Sequence, residues 1–138
     1  MTAKSAKLVA LRLLTIKSLT ISELKKKLTL RGFSKEEIDQ TINICLGYGY
    51  LNDEEEGQRR VERFKRKGYG PHLIAAKLRA QGLNPAAISS EEQIAAIRNL
   101  IAKPAWKKKE KRNLVAALQR RGFDFECILK VVNLQFNP

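Results

Sequence analysis

Metal-binding side chains are scarce in this chain of 138 residues, which has two cysteines, Cys45 and Cys127, and a single histidine, His72. No Cys-x-x-Cys pair occurs, so a structural zinc site lacks its donors, and neither a metal nor another cofactor is expected. Both cysteines fall at apolar-periodic positions of expected helices, which points to packing in a reduced, cytoplasmic protein. Long hydrophobic runs are missing as well. None approaches the roughly 20 apolar residues of a membrane span. The opening MTAKSAK followed by LVALRLL is too short and too interrupted for a signal peptide. Alternating apolar and polar residues bounded by hairpin turns are absent, which argues against a sheet. No glycine-rich loop leads into Gly-Lys-Ser or Gly-Lys-Thr, so nothing cradles a nucleotide phosphate in the familiar way. Acidic residues are in the minority, 14 against 27 basic ones, leaving a net charge of +13.

The acidic residues that do occur do not converge. Asp53, Glu54, Glu55 and Glu56 are adjacent, and neighbours on a helix point in different directions, so they read as a dipole-stabilised helix start. His72 stands beside Pro71 with no nucleophile near it in the chain. No catalytic set can be assembled, and the expectation is a protein that is not an enzyme.

What is present is a pattern repeated three times. Leu24, Leu28, Gly32, Phe33, Ser34 and Ile38 form the first copy; Ile74, Leu78, Gly82, Leu83, Asn84 and Ile88 the second; Leu114, Leu118, Gly122, Phe123, Asp124 and Ile128 the third. The two leading apolar residues are one helical turn apart and share a face. The glycine four residues later suits a left-handed helix ending, with the next residue packed back on the preceding leucine. Ser34, Asn84 and Asp124 are then N-caps for a second helix. Phe33, Leu83 and Phe123 are placed to staple Ile38, Ile88 and Ile128, and Ser34 with Glu37 makes a capping box. Each copy encodes helix, tight corner, helix.

Reading outward from the corners gives nine helices in three groups. The first runs from about Ala3 to Ile16 with Leu8, Leu11 and Leu14 inward. The second runs from Ser22 to Arg31, and the third from Lys35 to Leu46. A fourth begins at Asn52 or Asp53 and ends before Gly68. A fifth starts at Pro71, a short sixth spans Pro85 to Ile88, and a seventh is capped by Ser89 or Ser90. Trp106 opens the eighth, and the ninth carries Ile128, Val131 and Val132. The fold class expected is all-α, a tandem array of three three-helix repeats over residues 1–51, 52–89 and 90–138, elongated and curved.

Charge follows the same period. Residues 1–33 carry +7, residues 34–57 carry −6, and residues 58–82 carry +7. Residues 83–102 carry −1, residues 103–122 carry +7, and residues 123–138 carry −1. Cations thus precede each glycine, and acids or few charges follow it. The candidate contacts to a polyanionic partner are Lys25, Lys26, Lys27 and Arg31; Arg59, Arg60, Arg63, Lys65, Arg66 and Lys67; Lys77 and Arg79; and Lys107, Lys108, Lys109, Lys111, Arg112, Arg120 and Arg121. Aligned cations attract phosphate through counterion release and steer association. The corner also resembles a DNA-reading helix-turn-helix, but its second helix would carry Glu36, Glu37 and Asp39, or Asp124 and Glu126, which repel phosphate. Tyr48, Tyr50, Tyr69 and Trp106 fall at the junctions between repeats, where packing anchors are expected.

Several stretches resemble the RecX family, regulators of the RecA recombinase. They are Thr20-x-x-Glu23-Leu24 with Lys27-Leu28 and Gly32-Phe33; Gly49-Tyr50-Leu51-Asn52-Asp53; Val61 with Lys67-Gly68-Tyr69-Gly70; and Ile74-x3-Leu78-x3-Gly82-Leu83. The similarity runs from about Ala10 to Ile88. This chain has Glu56-Gly57 where the family has an aromatic–alanine pair, Leu73 where a basic residue is usual, and Lys77 where a glutamate is common. The resemblance implies a tandem array of three-helix repeats that lies in the groove of the RecA–DNA filament. It also implies altered ATP hydrolysis, filament growth and strand exchange, with inhibition the expected direction, in DNA recombination, repair and the SOS response. The partners it implies are the RecA filament and DNA within or beside it, met by a monomer and without a membrane. A general DNA- or RNA-binding helical protein is the alternative.

Overall fold

Corner chemistry sets where the helices stop and start. The computed structural model describes residues 3–136, with side chains for residues 5–134. Among them lie nine helices and no strand: α1 Ala3–Ile16, α2 Ile21–Leu30, α3 Lys35–Gly47, α4 Asp53–Arg66, α5 Pro71–Ala80, α6 Ser90–Ile101, α7 Pro104–Lys107, α8 Lys111–Arg120 and α9 Phe125–Phe136. At the first corner Gly32 has φ +89°. There the Phe33 N–H donates to the Leu28 carbonyl at 3.3 Å, and the Gly32 N–H to that of Thr29 at 3.0 Å. This is the Schellman pair of bonds, and it satisfies carbonyls that the helix leaves open. Gly122 repeats it at φ +93°, with Phe123 bonded to Leu118 and Gly122 to Gln119. Gly82 ends α5 with φ +78°. The Ser34–Glu37 capping box forms on α3. A second box, Thr20 with Glu23, starts α2 at Ile21 rather than at Ser22.

Contacts divide the chain into two units, residues 1–59 with 80–83, and residues 60–79 with 84–138. In the first, α1, α2 and α3 enclose Leu24, Leu28, Ile38, Ile42 and Cys45. Full burial of Leu24 and of Leu28 contributes about 1.5–3 kcal/mol each. The buried stripe of α1 is Ala6 and Ala10, both fully enclosed, whereas Leu8 is 53% exposed. Of the expected leucines, Leu14 packs against this core and Leu8 does not: the closest contact is made by small residues, which let α1 approach its neighbours, and hydrophobicity alone does not register that. Residues 80–83 pack on the start of α2. The Thr20 hydroxyl donates to the Gln81 carbonyl at 2.7 Å, and a Cβ on Gly82 would lie 2.3 Å from Ser22 Cβ. The Ile21 N–H donates to the Asp53 carboxylate at 3.0 Å, which neutralises an open donor at the head of α2.

The second unit has its own core of Ile97, Leu100, Ile101, Trp106, Leu114, Leu118, Ile128 and Val132. Here the start of α5 meets the end of α8. The Gly70 N–H donates to the Arg121 carbonyl at 2.7 Å and the His72 N–H to that of Gly122 at 2.9 Å. The backbones are in direct contact, since a Cβ on Gly122 would lie 2.4 Å from Leu73 N, and one on Gly70 2.5 Å from Phe123 N. Asp124 locks the corner. Its N–H donates to the Gln93 amide oxygen at 3.0 Å. Its carboxylate accepts from the Gln93 amide nitrogen at 2.8 Å and pairs with His72 Nε2. Gln93 is buried, and these bonds satisfy its amide on both sides.

Three further expectations change. Residues 83–89 are not helical. A helix from Pro85 to Ile88 would be a single turn, too short to offset helix nucleation, and Ser89 already caps α6. Trp106 does not open the eighth helix. It lies buried in the separate short α7, and α8 begins only at Lys111, beyond the lysine run. Asp124 stands at the N-cap position of α9, but its carboxylate turns outward to Gln93 and His72 instead of back to its own helix.

The corner contacts make the three glycines unequal. Gly32→Ala is expected to cost about 1–2 kcal/mol through its left-handed backbone alone. Gly82→Ala and Gly122→Ala add a collision with Ser22 and with Leu73, so each should lose distinctly more in denaturant melts. Equal losses at the three positions would contradict this packing. The Asp124 carboxyl, for its part, is held below its ordinary value, by the Gln93 hydrogen bond first and His72 next. Its contribution is therefore complete above the ordinary aspartate value of 3.8 and is lost as pH falls through the lowered one. Asp124→Asn should lower stability at neutral pH by less than about 1 kcal/mol, because the part-exposed carboxylate is screened by solvent, and should flatten the stability loss in the acid range. Parallel acid slopes for wild type and variant would show that the carboxylate is not responsible.

Candidate functional site

Helix periodicity sorts the cations once the apolar face is turned inward. On α2, Leu24 and Leu28 are buried, so Lys25, Lys26 and Lys27 fall on the solvent side and are exposed, as is Arg31 after the helix end. Lys25 and Lys26 border an open cavity of about 690 Å³ whose walls include Ile21, Thr29, Leu30 and Asp53. It is a basic, partly apolar groove on the first unit. In the second unit Arg63, Arg66, Lys67, Arg79, Lys107, Lys108, Arg112 and Arg120 are exposed, and Lys109 and Lys111 are half-buried.

Other candidates are drawn into the protein. Arg60 is only 2% exposed, so its guanidinium does not reach a surface partner. It lies one turn after Glu56, which is buried too, and a charge at that depth needs internal pairing. Arg59 is exposed but reaches the Glu56 carboxylate at 2.8 Å. Lys65 meets Glu92 at 3.0 Å and Glu62 at 3.5 Å. The Glu92 hydrogen bond is the main reason its ammonium is held charged to higher pH than usual.

Arg121 and Lys77 serve an aromatic cluster. The Arg121 guanidinium donates to the Lys67 carbonyl at 2.6 Å. It also lies 5.4 Å from the Trp106 ring centre and 6.0 Å from that of Tyr69. Lys77 Nζ lies 5.4 Å from the Tyr69 ring centre, and Tyr69 stacks on Phe64. Lys109 covers Trp106 at 5.5 Å. Cations over ring faces are attracted by the ring quadrupole and help to hold these aromatics in place. They are less available to a partner than the exposed lysines of α2.

Two aromatics depart from the expected role. Trp106 is buried, but Tyr48 and Tyr50 are 65% and 53% exposed, so neither anchors a core. Their rings stack on each other at 5.6 Å, and Lys7 lies 5.8 Å above Tyr48. Lys7 was not among the expected contacts because its partner ring is distant in the chain. Cys45 and Cys127 are free and buried, and burial pushes the Cys45 thiol above its ordinary range, which keeps it neutral and unreactive. Among the described residues no cluster of His, Cys, Asp or Glu could hold a metal, and no helix is long and apolar enough to cross a membrane.

Comparison with known proteins bears on what this surface is for. Residues 6–44 match the family model described as RecX, first three-helix domain. The regulatory protein RecX of Caldanaerobacter subterraneus subsp. tengcongensis is 33% identical over 140 residues, covering 96% of this chain and 71% of the relative. That of Legionella pneumophila is 34% identical over 139 residues, covering 88% and 89%. The crystal structure of RecX from Lactobacillus salivarius shares the fold, with a TM-score of 0.83 at 19% identity over 96% of this chain and 95% of that one. The chain belongs to the RecX family of regulatory proteins.

Proposed function

We propose that this protein binds in the groove of the RecA–DNA filament and restrains RecA: it slows ATP hydrolysis, filament growth and strand exchange, and does so as a regulator without catalysis of its own. The observation that carries this reading is the match to proteins named regulatory protein RecX over nearly the whole chain. The arrangement of cations supports it. Lys25, Lys26 and Lys27 are exposed together on the solvent face of α2, and Lys107 at the end of α7, Lys108 after it and Arg112 at the start of α8 are exposed as well. Read as three repeats over residues 1–51, 52–89 and 90–138, the chain would present cations at intervals to an extended polyanion. Glu36 and Asp39 are exposed on α3, where a helix-turn-helix would need to approach phosphate, so base reading through that helix is disfavoured.

The exposed lysines also favour a second reading, general nucleic-acid binding without RecA. The two differ in what is bound: filament regulation requires tighter retention on RecA–DNA filaments than on bare DNA, whereas general binding requires no difference.

A titration of RecA's DNA-dependent ATPase decides the main reading. Near-stoichiometric protein should lower the rate, and an unchanged ATPase together with unchanged strand exchange would remove the proposal. Neutralising Lys25, Lys26 and Lys27 to Gln should weaken binding to DNA-containing partners. On duplex DNA the slope of log affinity against log salt should become shallower by roughly 0.9 for each phosphate that is no longer neutralised. A slope identical to wild type would place those lysines outside the interface.

A further inference from the structure

The three corner glycines share a left-handed φ and differ in what lies against them. At Gly82 the space a Cβ would fill is taken by Ser22, 2.3 Å away, and at Gly122 by Leu73 N, 2.4 Å away. In each case the start of a helix sits on the corner. At Gly32 the same direction meets nothing within 4 Å. Beside it Leu30 is 87% exposed, the most exposed of the large hydrophobic residues described. Arg31 and Lys35 are exposed around it, with Glu36 the nearest acid along the chain.

We propose that the Gly32 corner is a docking socket for the first turn of a helix on a partner protein, and that this turn is acidic. The occupied corners show what such a socket accepts. A hydroxyl or backbone N–H from the incoming helix start bonds to the carbonyl of the residue before the glycine. Thr20 Oγ1 does so to Gln81, and the Gly70 N–H to Arg121, each at 2.7 Å. A further N–H, that of His72, takes the glycine carbonyl itself at 2.9 Å. The positive end of one helix thereby meets the negative end of another. Arg31 and Gly32 carry the corresponding carbonyls, and Leu30 supplies apolar contact. Arg31 and Lys35, with Lys27 one turn back, select carboxylates, which also suit the first turn of a helix. In a second copy joined head to tail, the helix start that would continue the repeat pattern is α8, Lys111-Arg112 after Lys109, which would bring cations onto cations; the acidic starts of α3, α4 and α6 leave other self-contacts to the self-association arm of the test.

The inference rests on the reading of RecA as the protein partner, and the test separates the two. Asparagine tolerates the left-handed backbone, and at position 32 its side chain enters open space. Gly32→Asn should therefore fold while filling the socket. Retention of wild type and Gly32→Asn is measured on RecA–DNA filaments and on bare single-stranded DNA, with thermal melts alongside. Filament affinity should fall at least about tenfold, with DNA retention unchanged. If Gly32→Asn melts early, Leu30→Asp carries the test, because that side chain is already in solvent. Wild-type affinity in the folded variant overturns the socket and leaves the filament reading standing. Failure of wild type to bind filaments removes both. Self-association that Gly32→Asn abolishes would overturn the assignment to a partner protein in favour of a second copy.

Discussion

The contact that the rest of this structure depends on is the approach of a helix start to a glycine corner. A helix ends with carbonyls open and begins with N–H groups open, and burying either without a partner is unfavourable. Here the two deficits answer each other: Gly70 and His72 donate to Arg121 and Gly122, and the Thr20 hydroxyl donates to Gln81. Only glycine permits the approach, because a Cβ at Gly82 or Gly122 would stand within 2.5 Å of the incoming chain. The same glycine supplies the left-handed ending and the close contact, so one residue type meets two requirements at once.

Charge placement follows from that frame. With Leu24 and Leu28 turned inward, the lysines of α2 have nowhere to go but solvent. In the second unit the aromatic cluster of Phe64, Tyr69 and Trp106 recruits Lys77 and Arg121, so part of the basic complement is structural. Glu56, Leu73 and Lys77, singled out in the sequence, fall on such packing sites. Glu56 is buried and reaches Arg59, Leu73 lies against the Gly122 corner, and Lys77 covers Tyr69.

Much of the architecture was legible in the chain. Leucine spacing and the glycine located the corners at Gly32, Gly82 and Gly122, and at the first of them the Ser34 capping box agreed, because those signals are local. Elements resting on one weak local signal failed. Pro85 and Asn84 can start a helix, but four residues cannot sustain one against the Ser89 cap. Leu8 looked like core, yet Ala6 and Ala10 are buried, since the face of α1 that meets its neighbours is set by how closely the helices pack and not by hydrophobicity along α1. The candidate surface was only partly legible. Arg60 and Lys25 are indistinguishable by type, and only the rotation of each helix about its own axis separates a buried guanidinium from an exposed ammonium. Tyr48 and Tyr50 failed for a related reason: a junction in the chain need not be a junction in space.

By itself the sequence determined the helical class, the three corners and the excess of positive charge, because each depends on neighbours within about a turn of helix. Tertiary structure alone decided which corner glycines are covered, which cations remain in solvent, and that Asp124 holds Gln93 and His72 rather than capping its own helix. Those outcomes depend on groups brought together from 31 and 52 residues apart, a distance at which no local propensity carries information.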